Sequence, residues 1–122
     1  MKKNKLKELI SNIFVKHKLS KNHANICAEA LVNAELVGAP SHGLSRLKMY
    51  CDRINKKVIN PKPKIKIKKI TQSITQIDAK NSIGFVAADI GIKKAIESAK
   101  KTGIGLVGIN NSGHYGLSGY YA

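Results

Sequence analysis

The chain has 122 residues, enough for one domain that buries roughly two thirds of its unfolded surface. With 43% hydrophobic and 24% charged residues it is too apolar for a disordered tail, and its apolar runs are too short and too interrupted by lysine to span a bilayer. The net charge of +15 points to a nucleic-acid partner, but the cations are nearly all lysine, Arg46 and Arg53 being the exceptions. Lysine is the poorer reader of phosphates and bases, so a small basic nucleic-acid-binding protein is carried as an alternative only.

The N-terminus is basic and then amphipathic, without the continuous apolar core and small-residue cleavage site of a secretory signal. It is read as a first helix over residues 3–17, with Leu6, Leu9, Ile10, Ile13 and Phe14 at helical spacing, in a cytoplasmic protein. Ser20 is suited to cap a second helix, whose apolar face carries Ile26, Cys27, Ala30, Leu31, Ala34 and Leu36. Gly38 supplies a left-handed stop. Pro40 biases Ala39 away from helix, and Ser41 can cap a third helix over about 42–56. Cys27 and Cys51 lie apart from any CxxC pair or histidine at ligand spacing. They read as buried reduced thiols, and no metal site is expected.

Asn60-Pro61-Lys62-Pro63 is a turn or linker. The alternation in KIKIKK, residues 64–69, predicts a strand with one wet face, Ile65 and Ile67 sharing the other. Residues 72–78 are its expected antiparallel partner, followed by a turn from Ala79 to Gly84. Helical spacing resumes over 85–101 through Phe85, Ala88, Ile92 and Ile96, and Gly103 follows as the stop. IGLVGI, residues 104–109, reads as a buried strand that leads into a glycine-rich loop. The order implies an α/β chain of mixed α+β character: a helical segment over 1–60, then the start of a mixed sheet over 61–122.

Two constellations carry chemistry. His42, Arg46 and Tyr50 recur at i, i+4 and i+8, which on a continuous helix places them nearly on one face. An imidazole, a guanidinium and a phenol in one stripe suit a small oxygenated anion, since Arg46 can grip a carboxylate with two parallel hydrogen bonds. Ser41 would add free backbone N–H groups at the helix start. The plainer reading is a surface arginine beside a half-buried histidine and tyrosine. The second constellation is NNSGHYG, Asn110 to Gly116. A histidine in a glycine-rich loop after a buried strand is placed as catalytic groups of α/β enzymes are, and its ordinary pKa suits a general base near neutrality. The alternative is a loop histidine satisfied by backbone. No GxGxxG follows a strand, so the Rossmann fingerprint is absent.

Taken together, AELVGAPSHGLSRLKMY, INPKPKIKI, IDAKNSIGFVAA, AIESAKKTGIGLVGINNSGHYG and LSGYYA resemble the malate/L-lactate dehydrogenase family. Its members lack a Rossmann fold, and its relatives include ureidoglycolate and sulfolactate dehydrogenases and piperideine-carboxylate reductase. The resemblance runs from about residue 20 to the end. It implies a non-Rossmann dehydrogenase fold, with residues 61–122 opening the α/β dehydrogenase domain. It also implies hydride transfer between NAD or NADP and a small 2-hydroxy or 2-oxo acid. By that resemblance His114 is the catalytic acid/base, and Ser41, His42, Arg46 and Tyr50 line the substrate pocket, with Arg46 on the carboxylate. The sequence departs from a common form of the pattern at Pro40, where an acidic residue is often seen before the Ser-His pair. Family members run well past Ala122, so most cofactor-binding residues are expected beyond this chain, which is read as an N-terminal piece of a homodimeric enzyme. An inactive remnant is the remaining alternative.

Overall fold

The computed structural model describes residues 2–122. The two expected helices, α1 (Lys3–Lys16) and α2 (Lys21–Leu36), pack as a helical hairpin. Leu6, Ile10 and Phe14 turn inward on α1, whereas Leu9 is half exposed, so the buried stripe is narrower than the spacing predicts. Ser20 Oγ accepts the His23 N–H at 3.2 Å and caps α2 as expected. At the other end Gly38 takes φ +75°. The Ala39 N–H then reaches the Ala34 carbonyl at 2.8 Å, and the Gly38 N–H reaches Glu35 at 3.2 Å. This is a Schellman stop, and it leaves Leu36 outside the core at 59% exposure.

The third helix differs from its expectation. In place of one helix over 42–56 there are two 3-10 turns, Pro40–His42 and Leu44–Arg46, and then α3 (Leu47–Asn55). The break is at Gly43, whose φ of −99° and ψ of −133° are not helical. Its cause lies in α2: the Glu35 carboxylate accepts the Leu44 N–H, nine residues on, at 2.6 Å and occupies the space a Gly43 side chain would need.

Strands β1 (Lys66–Lys69) and β2 (Ile74–Ser82) pair antiparallel, with Lys66 opposite Asp78. After β2 comes α4 (Gly84–Thr102), then β3 (Leu106–Ser112) parallel to β2, giving the sheet order β1-β2-β3. Residues 79–84 are therefore not the expected turn. The strand runs on to Ser82 through a bulge, with Lys80 at φ +52° and Asn81 at φ +60°. The register jumps from Asp78 opposite Asn110 to Ser82 opposite Ser112. Asp78 holds the bulge together: its Oδ1 accepts from the Lys80 N–H at 3.1 Å and from Asn111 Nδ2 at 3.0 Å. Its ion pair with Lys80, helped by Asn111, holds its pKa down at about 2.

Three burial expectations also fail. All four β1 residues are exposed, Ile65 packs against the core while Ile67 is 48% exposed, and β3 is a largely exposed edge strand with Leu106 at 60%. On α4 the buried residues are Gly84 to Ala87 in the first turn, then Gly91 and Ser98, while Ile96 is 48% exposed. Gly103 ends α4 in the left-handed conformation as expected. One core joins both halves of the chain, since Ile83, Phe85 and Val86 pack in the cluster that contains Ile10, Phe14, Leu31 and Tyr50. Each such buried side chain contributes about 1.5–3 kcal/mol, so the hairpin and the sheet fix one another. Cys27 and Cys51 are buried and free. Among the described residues, no helix is long and apolar enough to cross a membrane, and no group of three His, Cys, Asp or Glu gathers to hold a metal.

Candidate active site

His114 stands in the loop that leaves β3. The loop is placed by the strand ends beneath it: past the bulge the Gly113 N–H donates to the Ser82 carbonyl at 3.3 Å. The first turn of α4 presses against the same backbone, with Gly84 so close that an added Cβ would lie 2.5 Å from the His114 carbonyl carbon. The β2–α4 junction therefore sets where His114 sits.

The imidazole is held from several sides. Tyr50 Oη lies 2.8 Å from Nδ1, and the Gly116 N–H donates to the same nitrogen at 3.2 Å. His42 stacks on the ring with centroids 6.2 Å apart and planes 26° apart, and Tyr115 stacks at 6.3 Å. Burial lowers the His114 pKa from its ordinary value, and the nearby His42, Arg46 and Arg53 lower it further. The ring is thus biased towards its neutral form, the form that can take a proton.

His42, Arg46 and Tyr50, expected on one face of a continuous helix, do not share a helix. His42 and Arg46 sit in the two 3-10 turns and Tyr50 in α3. Ser41 Oγ and His42 Nδ1 share a hydrogen bond of 3.1 Å, and Arg46 Nε donates to the Ser41 carbonyl at 2.7 Å. Arg46 is exposed, and its terminal nitrogens are the edge left to grip an anion. The backbone amides expected to be free near Ser41 are used: His42 donates to Ala39, Gly43 to Pro40, and Leu44 to Glu35. Tyr50 is 0% exposed and packs edge-on against Phe85 at 5.0 Å. Burial pushes its phenol up to about 12, against the opposing pull of Arg46.

Three residues important to this geometry were not found from the sequence. Glu35 shapes the turns that carry His42 and Arg46. Phe85 supports Tyr50, and it also lies so close to Gly116 that an added Cβ would be 3.2 Å from its Cζ. Gly84 sets the height of the His114 backbone. The available signal for Glu35 was its scarcity, as one of seven acids in a chain of charge +15. Flanking His114, a cleft of about 480 Å³ runs between α4 and β3. Gly84, Ala88, Gly91, Ile109, Tyr115 and Tyr121 are in its wall, and no charged residue lines it.

A family model described as malate/L-lactate dehydrogenase matches residues 1–122. The chain is 42% identical over 104 residues to a malate/(S)-sulfolactate dehydrogenase of Methanothermus fervidus, covering 85% of this chain and 31% of that protein. It is 35% identical over 116 residues to a ureidoglycolate dehydrogenase (NAD(+)) of Escherichia coli K12, covering 95% of this chain and 33% of that one. The solved malate dehydrogenase of Pyrococcus horikoshii OT3 superposes with a TM-score of 0.95 at 41% identity, over 98% of this chain and 34% of the other. The chain therefore spans about a third of the length of the relatives it matches.

Proposed function

Because the chain belongs to the malate/L-lactate dehydrogenase family, we propose that it forms the acid/base and substrate-anchoring part of a nicotinamide-dependent oxidoreductase acting on a small 2-hydroxy or 2-oxo acid. The observation that carries this reading is the stacking of His42 on His114, which joins two motifs 72 positions apart around one imidazole. A neutral, partly desolvated imidazole beside a guanidinium is the pairing that oxidation of a hydroxy acid requires.

The residues present fit a nicotinamide in one respect: the cleft beside His114 has walls without a positive charge to repel the oxidised ring, and with Tyr115 and Tyr121 to lie against a flat ring. When bound, that cofactor supplies the hydride acceptor or donor. His114 takes the hydroxyl proton as the C2–H bond of the acid breaks and the carbonyl forms. In the reverse direction its imidazolium returns the proton to the developing alkoxide. Arg46 holds the carboxylate, with Ser41 and His42 beside it. Relatives named for malate, sulfolactate and ureidoglycolate support an acid substrate, and the relative named with NAD(+) supports a nicotinamide cofactor, NAD or NADP. We also assign the whole protein to the cytoplasm as a homodimer.

The test is His114→Ala in the whole protein, assayed by NAD(P)H absorbance with a panel of 2-oxo acids. Turnover is expected to vanish while circular dichroism reports a retained fold. Full activity in that variant would remove His114 from the chemistry and the reading with it.

A further inference from the structure

The sequence places Tyr50 with the substrate-binding residues, but its position in the fold suits another task. We propose that Tyr50 is a positioning residue that acts through His114: its hydroxyl anchors Nδ1 from inside the core, so that Nε2 is the nitrogen that exchanges a proton with the substrate. This inference rests on the reading of His114 as the acid/base.

Burial is the first ground. Tyr50 is 0% exposed, its ring seated on Phe85 at 5.0 Å, so nothing of it remains on the surface for a substrate to touch. The second ground is the geometry at Nδ1, where Tyr50 Oη at 2.8 Å and the Gly116 N–H at 3.2 Å converge on one nitrogen. The hydrogen bond at one ring nitrogen decides what the other can do, and here the occupied one is Nδ1. The third ground is the chemistry of the two partners. An amide N–H only donates, so the Gly116 bond requires a bare Nδ1 and a resting ring with its hydrogen on Nε2, a form that cannot take a proton there. A phenol hydroxyl both donates and accepts, so Tyr50 can also accept from Nδ1–H. Nε2 takes the hydroxyl proton from the tautomer whose hydrogen is on Nδ1. In that tautomer and in the imidazolium it becomes, Tyr50 is the partner that holds Nδ1–H, which the Gly116 N–H cannot do. The local packing keeps this arrangement in place: Gly116, at φ +78°, lies against the Phe85 ring that also supports Tyr50.

Tyr50→Phe removes the hydroxyl and keeps the ring on Phe85. In the whole protein kcat is expected to fall about tenfold, the rate equivalent of one lost hydrogen bond, with KM for the 2-oxo acid within about twofold. A raised KM with unchanged kcat would make Tyr50 a substrate contact and overturn the proposal, and so would unchanged values of both. His114→Ala, run in parallel, separates the two readings. If that variant stays active the acid/base assignment itself fails. If it is dead while Tyr50→Phe changes only KM, the role of Tyr50 alone fails. A second measurement does not depend on any variant folding. A long-range 1H–15N spectrum of the wild-type whole protein is expected to show His114 Nδ1, and not Nε2, as the nitrogen hydrogen-bonded to the protein. The opposite pattern overturns the proposal.

Discussion

At Gly84 helix propensity and close packing pull in opposite directions, and Gly84→Ala measures which is larger. On propensity alone, alanine is the better helix former by about 0.8–1.0 kcal/mol, and less at the first helical position that Gly84 occupies. Against that, the new Cβ would sit 2.5 Å from the His114 carbonyl carbon and close on the Gly113 and His114 carbonyl oxygens. Carbon atoms rest about 3.5 Å apart at their closest comfortable approach, so the loop must retreat by roughly 1 Å. These neighbours are backbone, not flexible side-chain ends. Overpacking of this kind costs about 1–3 kcal/mol, which exceeds the propensity gain. The net loss of about 1–2 kcal/mol would lower Tm by about 4–8 °C for a chain this long. If the retreat is passed to the imidazole, the 2.8 Å contact with Tyr50 opens to roughly 3.8 Å, beyond hydrogen-bonding range. A misplacement of about 1 Å can reduce turnover about a hundredfold. Thermal circular dichroism of this chain and kcat of the whole protein read the two effects separately. A higher Tm with unchanged kcat would show that propensity prevails and that Gly84 does not set the height of His114.

Glu35→Ala leaves the part-buried Leu44 N–H without its acceptor and is expected to cost about 1.5–3 kcal/mol, while Glu35→Gln, which keeps an acceptor oxygen, recovers most of it. Equal melting of the alanine variant and the wild type would show that the break at Gly43 does not depend on this carboxylate. The lowered His114 pKa gives the pH dependence its sign. The folded chain resists protonation more than the unfolded chain, so its contribution to stability is present above the ordinary value of 6.5 and is lost as pH falls from there through the folded value. Oxidation of the hydroxy acid should likewise decline only below pH 6.5. His42→Ala should move that limb part of the way back towards 6.5, since burial is the larger cause and remains, and a limb that stays in place would remove His42 from the electrostatics of the site.

The features that could be read from the sequence are those whose causes lie within a few residues. Ser20 caps α2 through a bond to His23, three positions on, and Gly38 and Gly103 stop their helices by a backbone conformation that glycine adopts without cost. The loop that carries His114 leaves β3 where the glycines after the apolar run predict it. The errors have distant causes. The helix expected over 42–56 is split by a carboxylate from α2, and helical spacing carries no information about Glu35. The turn expected at 79–84 is a bulge stabilised by Asp78 together with Asn111, a residue on another strand.

The exposure of β3 and the burial of Tyr50 show the same limit in opposite senses. IGLVGI is apolar enough for an interior strand, but hydrophobicity states only what a segment gains by burial. Whether a layer covers it is decided elsewhere, and in this chain Leu106 remains 60% exposed. Tyr50 carries a polar group and its plainer reading is half-buried, yet it is fully buried because Phe85 supplies a face for its ring and His114 a partner for its hydroxyl, 35 and 64 positions away. A buried phenol is tolerated only when its hydroxyl is paired. The partner that makes its burial affordable is the imidazole proposed to carry the chemistry, so the stability of the core and the aim of His114 are coupled through one hydrogen bond. A substitution that loosens the packing around Phe85 should therefore reduce turnover before it unfolds the chain.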